Sequence, residues 1–154
     1  MILYGHDEAL ALHAARHLDV RAWGKCRALG VVRGTELVAI AVYGNYRHPN
    51  IEMSIWSATP RWATREAISA LLRYPFLQLG VSRITATTDA MNPQARAFLC
   101  RIGFTLEGTH PAALPNGNTA LTYGLLRADA ARWLAEGLPC PRAVQTPPRL
   151  PTLG

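Results

Sequence analysis

Residues 92–104, NPQARAFLCRIGF, constrain this chain more than any other stretch. Asn92 carries a side chain suited to cap a helix. Pro93 follows at the first helical position, where its missing N–H is harmless. Ala95, Phe98, Leu99 and Ile102 fall at i, i+3, i+4 and i+7, the spacing that gives a helix one buried face. Gly103 predicts a left-handed stop, and Phe104 opens the next strand.

The sequence before this helix reads as strands first and a helix second. Residues 1–5 predict a short edge strand. Asp7 predicts the cap of a helix reaching Leu18, with Leu10, His13, Ala14 and His17 along one stripe. His13 and His17 are i, i+4 partners, but no third ligand is spaced to complete a metal site, so packed or solvent-facing histidines are expected. Residues 20–27 read as a loop. Strands are predicted over 28–33 and 36–46, joined at Gly34-Thr35, and over 51–58 after a polar turn containing Pro49. In that third strand Glu52, Ser54 and Trp56 share one face, and Ile51, Met53 and Ile55 the other. Residues 59–79 predict a helix, which Pro75 must kink or end. A strand over 82–88 should run parallel to the third strand across that helix.

After the Asn92 helix come a strand at 104–108, an irregular stretch with Asn116-Gly117 as a hairpin signal, a strand at 118–126 and a short helix at 129–134. The chain reads as one domain, residues 1–136, followed by a Pro-rich extended tail, residues 137–154.

Composition bounds the rest. Hydrophobic residues make up 49% of the 154 and charged residues 17%, which fits one globular domain with a core of its own. No apolar run reaches the ~18 residues of a membrane span, and the start lacks a charged and then apolar leader, so no signal peptide is expected. Cys26, Cys100 and Cys140 form neither a metal pair nor a disulfide framework, which points to a reducing cytoplasm. The net charge of +6 suits an anionic ligand. The arginines are scattered along the sequence, which argues against nucleic acid.

The Asn92 stretch also resembles a family. The GNAT superfamily of N-acetyltransferases carries N-x-x-A/S-x-x-L-Y-E-K-x-G-F followed by x-x-E-G, and Asn92, Ala95, Phe98, Gly103, Phe104, Glu107 and Gly108 match in register. The residues before Asn92 look like the family's helix, strand and loop. TYGLLRADAARWL looks like the closing strand of the subgroup that acetylates ribosomal-protein N-termini. The resemblance covers roughly residues 28–134. It implies an α/β (α+β) fold with a mixed, mostly antiparallel central sheet, flanking helices and a parallel pair at the centre.

The resemblance further implies acetyl-CoA as cosubstrate. The family holds the pyrophosphate on backbone N–H groups of a Q/R-x-x-G-x-G/A loop after the third strand. Here that segment is Thr59-Pro60-Arg61-Trp62-Ala63-Thr64, with Trp62 and Thr64 at the glycine positions. The expected cofactor contacts are Arg61, Trp62, Ala63, Thr64 and Arg65 in this loop, Asn92, and Ile55 and Trp56 on the strand that meets the pantetheine by strand addition. Glu52 is the expected base that takes a proton from the amine, with Asp89 and Glu107 as fallback carboxylates. The family's usual acid, a Tyr, falls at Leu99, and the Ser of some relatives at Ala95. Tyr123 is the donor assigned to that step, with Ser54 and a packed Cys100 as others. The acceptor implied is an amine, either a small molecule or a protein N-terminus, and a homodimer is compatible with the fold. The alternative is a non-catalytic acyl-CoA-binding or protein-interaction module on the same fold.

Overall fold

The computed structural model describes residues 1–135 and 143–144. Eight strands form one sheet: β1 (Ile2–Leu3), β2 (Cys26–Arg33), β3 (Glu36–Arg47), β4 (Asn50–Ser57), β5 (Arg83–Asp89), β6 (Thr105–His110), β7 (Ala120–Leu126) and β8 (Ala143–Val144). The helices are α1 (Asp7–Leu18), α2 (Arg65–Arg73), α3 (Pro93–Ile102) and α4 (Ala131–Leu134). The strand order is β6-β7-β5-β4-β3-β2-β1-β8. Pairing is antiparallel except between β4 and β5 at the centre and between β1 and β8 at one end. This is the mixed, mostly antiparallel sheet with a central parallel pair that the resemblance implied.

Two apolar layers close the sheet. Leu10 and Ala14 of α1 pack on Ala28, Val32, Ile40 and Val42. The opposite face receives α2 and α3, where Ile68, Leu71, Leu99 and Ile102 meet Leu29, Ala39, Ala41, Met53 and Ile84. Strand alternation explains the division: successive residues of β3 point to opposite layers, so its run from Leu37 to Tyr43 is buried throughout. Gly30 lets α1 approach, because a Cβ there would stand 3.2 Å from Leu10 Cδ2 and 3.3 Å from Leu3 Cβ. On the other face the Tyr43 hydroxyl donates to the Leu71 carbonyl at 2.6 Å, tying β3 to α2.

The Asn92 helix forms as its sequence predicts. The Asn92 side chain accepts from the Ala95 amide at 3.1 Å, Pro93 is the first helical residue, and Gly103 ends the helix at φ 121°. Leu99 and Ile102 are buried, and Ala95 and Phe98 half-buried.

Several expectations are corrected. The residue before α1 is His6, with no side-chain cap, and Asp7 is the first helical residue. Its carboxylate accepts instead from the Ala28 amide at 2.7 Å and from Arg27, pinning α1 to β2. β1 is not an edge, because β8 pairs with it. The helix expected over 59–79 is three pieces. A 3-10 turn, Pro60–Trp62, is capped by Thr59; α2 follows, capped by Thr64; and a wider π turn, Tyr74–Gln78, takes in Pro75. Pro75 lacks the N–H that a regular helix needs there, so the backbone widens. Cys100 is exposed rather than packed. The domain boundary expected at residue 136 and all of the tail except 143–144 lie outside the described residues.

Candidate functional site

The centre of the sheet splits. β4 and β5 pair only at Asn50↔Arg83, Ile51↔Ile84 and Glu52↔Thr85. Beyond these, β4 continues to Ser57 on its β3 partner, and β5 continues to Asp89 on its β7 partner. The two strands therefore part while each keeps its outer neighbour. Among the described residues, the β4 edge facing β5 has no ladder partner from Met53 onward. An unpaired edge inside a sheet is a place where an extended ligand can take main-chain hydrogen bonds.

Glu52 stands at the root of this split. Ile51 and Met53 enter the α2 and α3 layer, so by alternation Glu52 projects to the α1 face. It is exposed, and Asn45 Nδ2 donates to its Oε1 at 3.0 Å. Beside it on the same face Thr85 donates to Asn50 Oδ1 at 2.8 Å, and Arg83 donates to Thr85 and ion-pairs with Glu107.

The two fallback carboxylates have structural partners. Arg83 grips both oxygens of Glu107, and that hydrogen bonding holds its carboxyl below the usual range. Asp89 accepts from the Asn116 and Asn118 side chains and from the Met91 amide, and these bonds lower its pKa, Asn116 first. Both stay charged and ill-suited to take up a proton at neutral pH. The Asp89 clasp fastens the β6–β7 connection to the loop that leads into Asn92.

The loop after β4 is self-contained. Amide N–H groups of Trp62, Ala63 and Thr64 donate to carbonyls of Thr59, Pro60 and Trp62, and that of Arg61 to the Thr59 hydroxyl. The Thr64 hydroxyl accepts from Ala67 at 3.2 Å. Helix geometry leaves the amides of Arg65 and Glu66, the first two residues of α2, without an intrahelical carbonyl. A phosphate at this end of β4 would meet those two N–H groups and the exposed Arg61. The Trp62 side chain is 4% exposed and packs on Phe98 of α3, with ring centroids 5.4 Å apart. It closes the gap between the loop and α3 and offers no side-chain contact to solvent.

The remaining expected residues fall as follows. Ile55 packs against the α2 and α3 layer and lies on the unpaired length of β4. Trp56 points the other way, its ring stacked on His17 at 5.0 Å and edge-on to His13 at 4.6 Å. Burial first, then the charges of His17 and Arg16, pushes the His13 pKa down. Among the described residues no group of three metal-binding side chains converges. Asn92 keeps its Nδ2 as a free donor type after capping through its oxygen. Tyr123 is 2% exposed on the α3 face, lining a shallow depression of about 210 Å³ with Pro93, Arg96, Ala97 and Cys100. The structure thus places Tyr123 and Glu52 on opposite faces of the sheet and does not bring them together.

Sequence reading missed the residues that converge beside the loop from α3 and α4. Arg65 donates to the Arg132 carbonyl at 3.0 Å, and Arg132 donates to the Arg101 carbonyl. Their spacing of about thirty residues or more leaves no local signal.

Known proteins share this architecture. A family model for the acetyltransferase (GNAT) domain matches residues 6–105. None of the curated proteins matches the chain in sequence. Among solved structures, mutant forms of the spermidine/spermine N-acetyltransferase SpeG from Vibrio cholerae are 21% identical, with a TM-score of 0.60, over 79% of this chain and 77% of theirs. A chimera of that Vibrio enzyme with hSSAT is 15% identical, with a TM-score of 0.67, over 88% of this chain and 99% of its own. A GNAT-family acetyltransferase from Bacillus anthracis is 24% identical, with a TM-score of 0.54, over 64% of this chain and 65% of its own. At these identities the likeness shows the fold.

Proposed function

The chain belongs to the GNAT acetyltransferase family, and from that premise we propose that it transfers the acetyl group of acetyl-CoA to an amine by direct attack on the thioester. The observation that carries the reading is the split between β4 and β5, with an exposed carboxylate at its root and a helix N-terminus at its mouth. The pantetheine lies along the unpaired edge of β4 at residues 53–56. The pyrophosphate rests at the start of α2, on the amides of Arg65 and Glu66 with Arg61 beside them. Asn92 meets the cosubstrate from the other wall.

In this arrangement the acceptor approaches from the α1 face. Glu52 takes the proton of the incoming ammonium group. The free amine nitrogen attacks the thioester carbonyl, the nitrogen of the tetrahedral intermediate gives its remaining extra proton to solvent, the C–S bond breaks and CoA leaves as thiolate. The buried Tyr123 is not called on, and solvent protonates the thiolate. Holding both reactants at one edge supplies much of the rate through proximity, and the base supplies about 100- to 10,000-fold more.

The acceptor is a monoamine or a protein N-terminus. Asp89 and Glu107 are tied up by Asn116, Asn118 and Arg83, so Glu52 is the carboxylate of this face with a proton-accepting role to fill. Arg83 cancels the charge of Glu107, which leaves Glu52 and Asp89 as the unpaired negative charges on this face of β4 and β5, fewer than the cationic centres of a polyamine, the acceptor named for the Vibrio enzyme. A ribosomal-protein N-terminus belongs to the panel for the same reason. Cys26 and Cys100 are free thiols, in keeping with work in a reducing cytoplasm.

The test is calorimetric binding of acetyl-CoA together with CoA release across a panel of monoamines, polyamines and N-terminal peptides. Binding with turnover of monoamines or peptides is expected. Absence of both heat and turnover at millimolar acetyl-CoA contradicts the reading. Tight binding without transfer to any amine favours the acyl-CoA-binding module.

A further inference from the structure

By strand alternation Asn45 belongs on the wrong face to meet Glu52. Tyr43, two residues earlier in β3, enters the α2 and α3 layer, and position 45 of a regular strand would follow it. Glu52 projects to the α1 face. Yet Asn45 Nδ2 donates to Glu52 Oε1 at 3.0 Å. The backbone accounts for the crossing. The β3–β4 register shifts between Gly44 and Arg47, and within that shift Asn45 takes the left-handed conformation, φ 47°. A bulge of this kind bends its strand and re-aims the side chain it carries.

The residues around the bulge fit one purpose. Gly44 is the cross-strand partner of Glu52, so no side chain stands opposite the carboxylate and the space beside it is open to Asn45. Left-handed backbone disfavours most side chains; glycine takes it most readily and asparagine more readily than other residues. Glycine at position 45 would satisfy the backbone alone. Asparagine satisfies it and brings a donor. On the β5 side Thr85 pairs with Glu52 in the ladder, but its hydroxyl is engaged with Asn50 and Arg83. Arg83 is in turn engaged with Glu107. Asn45 is therefore the one hydrogen-bond partner of the Glu52 carboxylate among the described residues, and it holds Oε1. Oε2 is left to the acceptor.

We propose that Asn45 is a positioning residue for the base: the bulge turns it onto Glu52, its amide fixes the carboxylate through Oε1, and Oε2 is the oxygen that takes the proton from the amine. The inference rests on the acetyl-transfer reading above. An exposed glutamate samples several rotamers, and most of them carry its oxygens away from the acceptor. A hydrogen bond from a neighbour held in the bulge narrows that set before substrate arrives, which saves ordering entropy at the reacting geometry. The proton passes from the ammonium nitrogen to Oε2, and Glu52 returns it to solvent before the next turnover.

The experiment measures kcat, KM and pH–rate profiles of the full chain with acetyl-CoA and whichever acceptor of the panel above turns over fastest. Asn45→Gly removes the donor and keeps a residue at ease at φ 47°. Its kcat should fall about 10-fold, the size of one hydrogen bond to a charged group, with KM for acetyl-CoA unchanged. In a Glu52→Gln background the same substitution should cost nothing more, because no base is left to position. Asn45→Asp keeps the shape but sets a second carboxylate against the first, so the acid limb of the profile should move to higher pH by about one unit. A residue that merely maintains the bulge would move neither the profile nor the coupling. Wild-type kcat in Asn45→Gly, an equal loss in the Glu52→Gln background, or an unmoved profile in Asn45→Asp overturns the inference and leaves acetyl transfer standing. Near-wild-type turnover by Glu52→Gln removes the base and the inference with it. Absence of transfer by wild type to every acceptor overturns the acetyl-transfer reading as well.

Discussion

The two halves of the sheet solve different problems with the same kind of strand. In the half built from β2 and β3, the middle residues are buried on both faces, between α1 and the α2–α3 layer. In the half built from β5, β7 and β6, the α3 layer covers one face, and the other carries Arg83, Thr85, Thr87 and Glu107. The halves join at the centre through three residue pairs of β4 and β5. The closed half resists distortion because apolar packing on both sides holds it. The open half is free to present polar groups, and the short seam leaves room for a ligand between the two. Stability should therefore reside mainly in the first half, and chemistry at the seam and the open face.

The largest expected effect is at the seam. Glu52→Gln keeps the shape and hydrogen-bonding capacity of the side chain but cannot accept a proton at neutral pH. Transfer should fall about 100- to 10,000-fold, with acetyl-CoA affinity unchanged by calorimetry and the residual rate rising with pH as free amine becomes abundant. Near-wild-type turnover would remove Glu52 from the mechanism. Next comes the contrast of halves. Ile40 is fully buried in the closed half, and Ile40→Ala should cost about 2–5 kcal/mol in urea unfolding. Thr87→Ala on the open face should stay within about 0.5 kcal/mol. Comparable costs would mean that the halves are not mechanically distinct.

A smaller effect is expected at the start of α2. Thr64→Ala leaves the Ala67 amide without its cap and should cost about 1 kcal/mol, read as a lower unfolding midpoint. The smallest effects are in pH dependence, and they separate the halves again. His13, in the closed half, has its pKa lowered from 6.5, chiefly by burial. Its unfolded form binds a proton first, so its contribution is complete above pH 6.5 and declines as pH falls through the folded value. Asp89, in the open half, has its pKa lowered from 3.8 by hydrogen bonds. Its contribution is present above pH 3.8 and is lost as pH falls toward its lower folded value. Midpoint-versus-pH curves should show the first decline abolished by His13→Asn and the second by Asp89→Asn, with each variant leaving the other decline intact.

What could be read from sequence follows the range of the signals. The Asn92 cap, the Pro93 start and the Gly103 stop depend on residues within one turn, and the structure has them as expected. Strand periodicity marked the strands, because alternation is a local property too, while the parallel pair followed from the helix that separates β4 from β5 and the mixed sheet from the family resemblance. Asp7 misled because a good capping residue found a better partner across the sheet in the Ala28 amide. The segment 59–79 misled because helical periodicity does not register a second cap, Thr64, inside the run. Glu52 could be picked out as the acid of its strand, but its place at the root of the split depends on where pairing stops. The side-chain partners of Asp89 and Glu107 lie between 24 and 29 residues away, and the contacts of Arg65 and Arg132 join elements more widely separated still, so neither had a local pattern.

The central claim is that the unpaired edge of β4 receives acetyl-CoA. Amide hydrogen exchange with and without the cosubstrate tests it most directly. Added acetyl-CoA should slow exchange in β4 from Met53 to Ser57 and at the Arg65 and Glu66 amides, while β2 and β3, already protected, change little. Unchanged exchange along β4 at saturating acetyl-CoA, with protection appearing elsewhere or nowhere, would contradict the account.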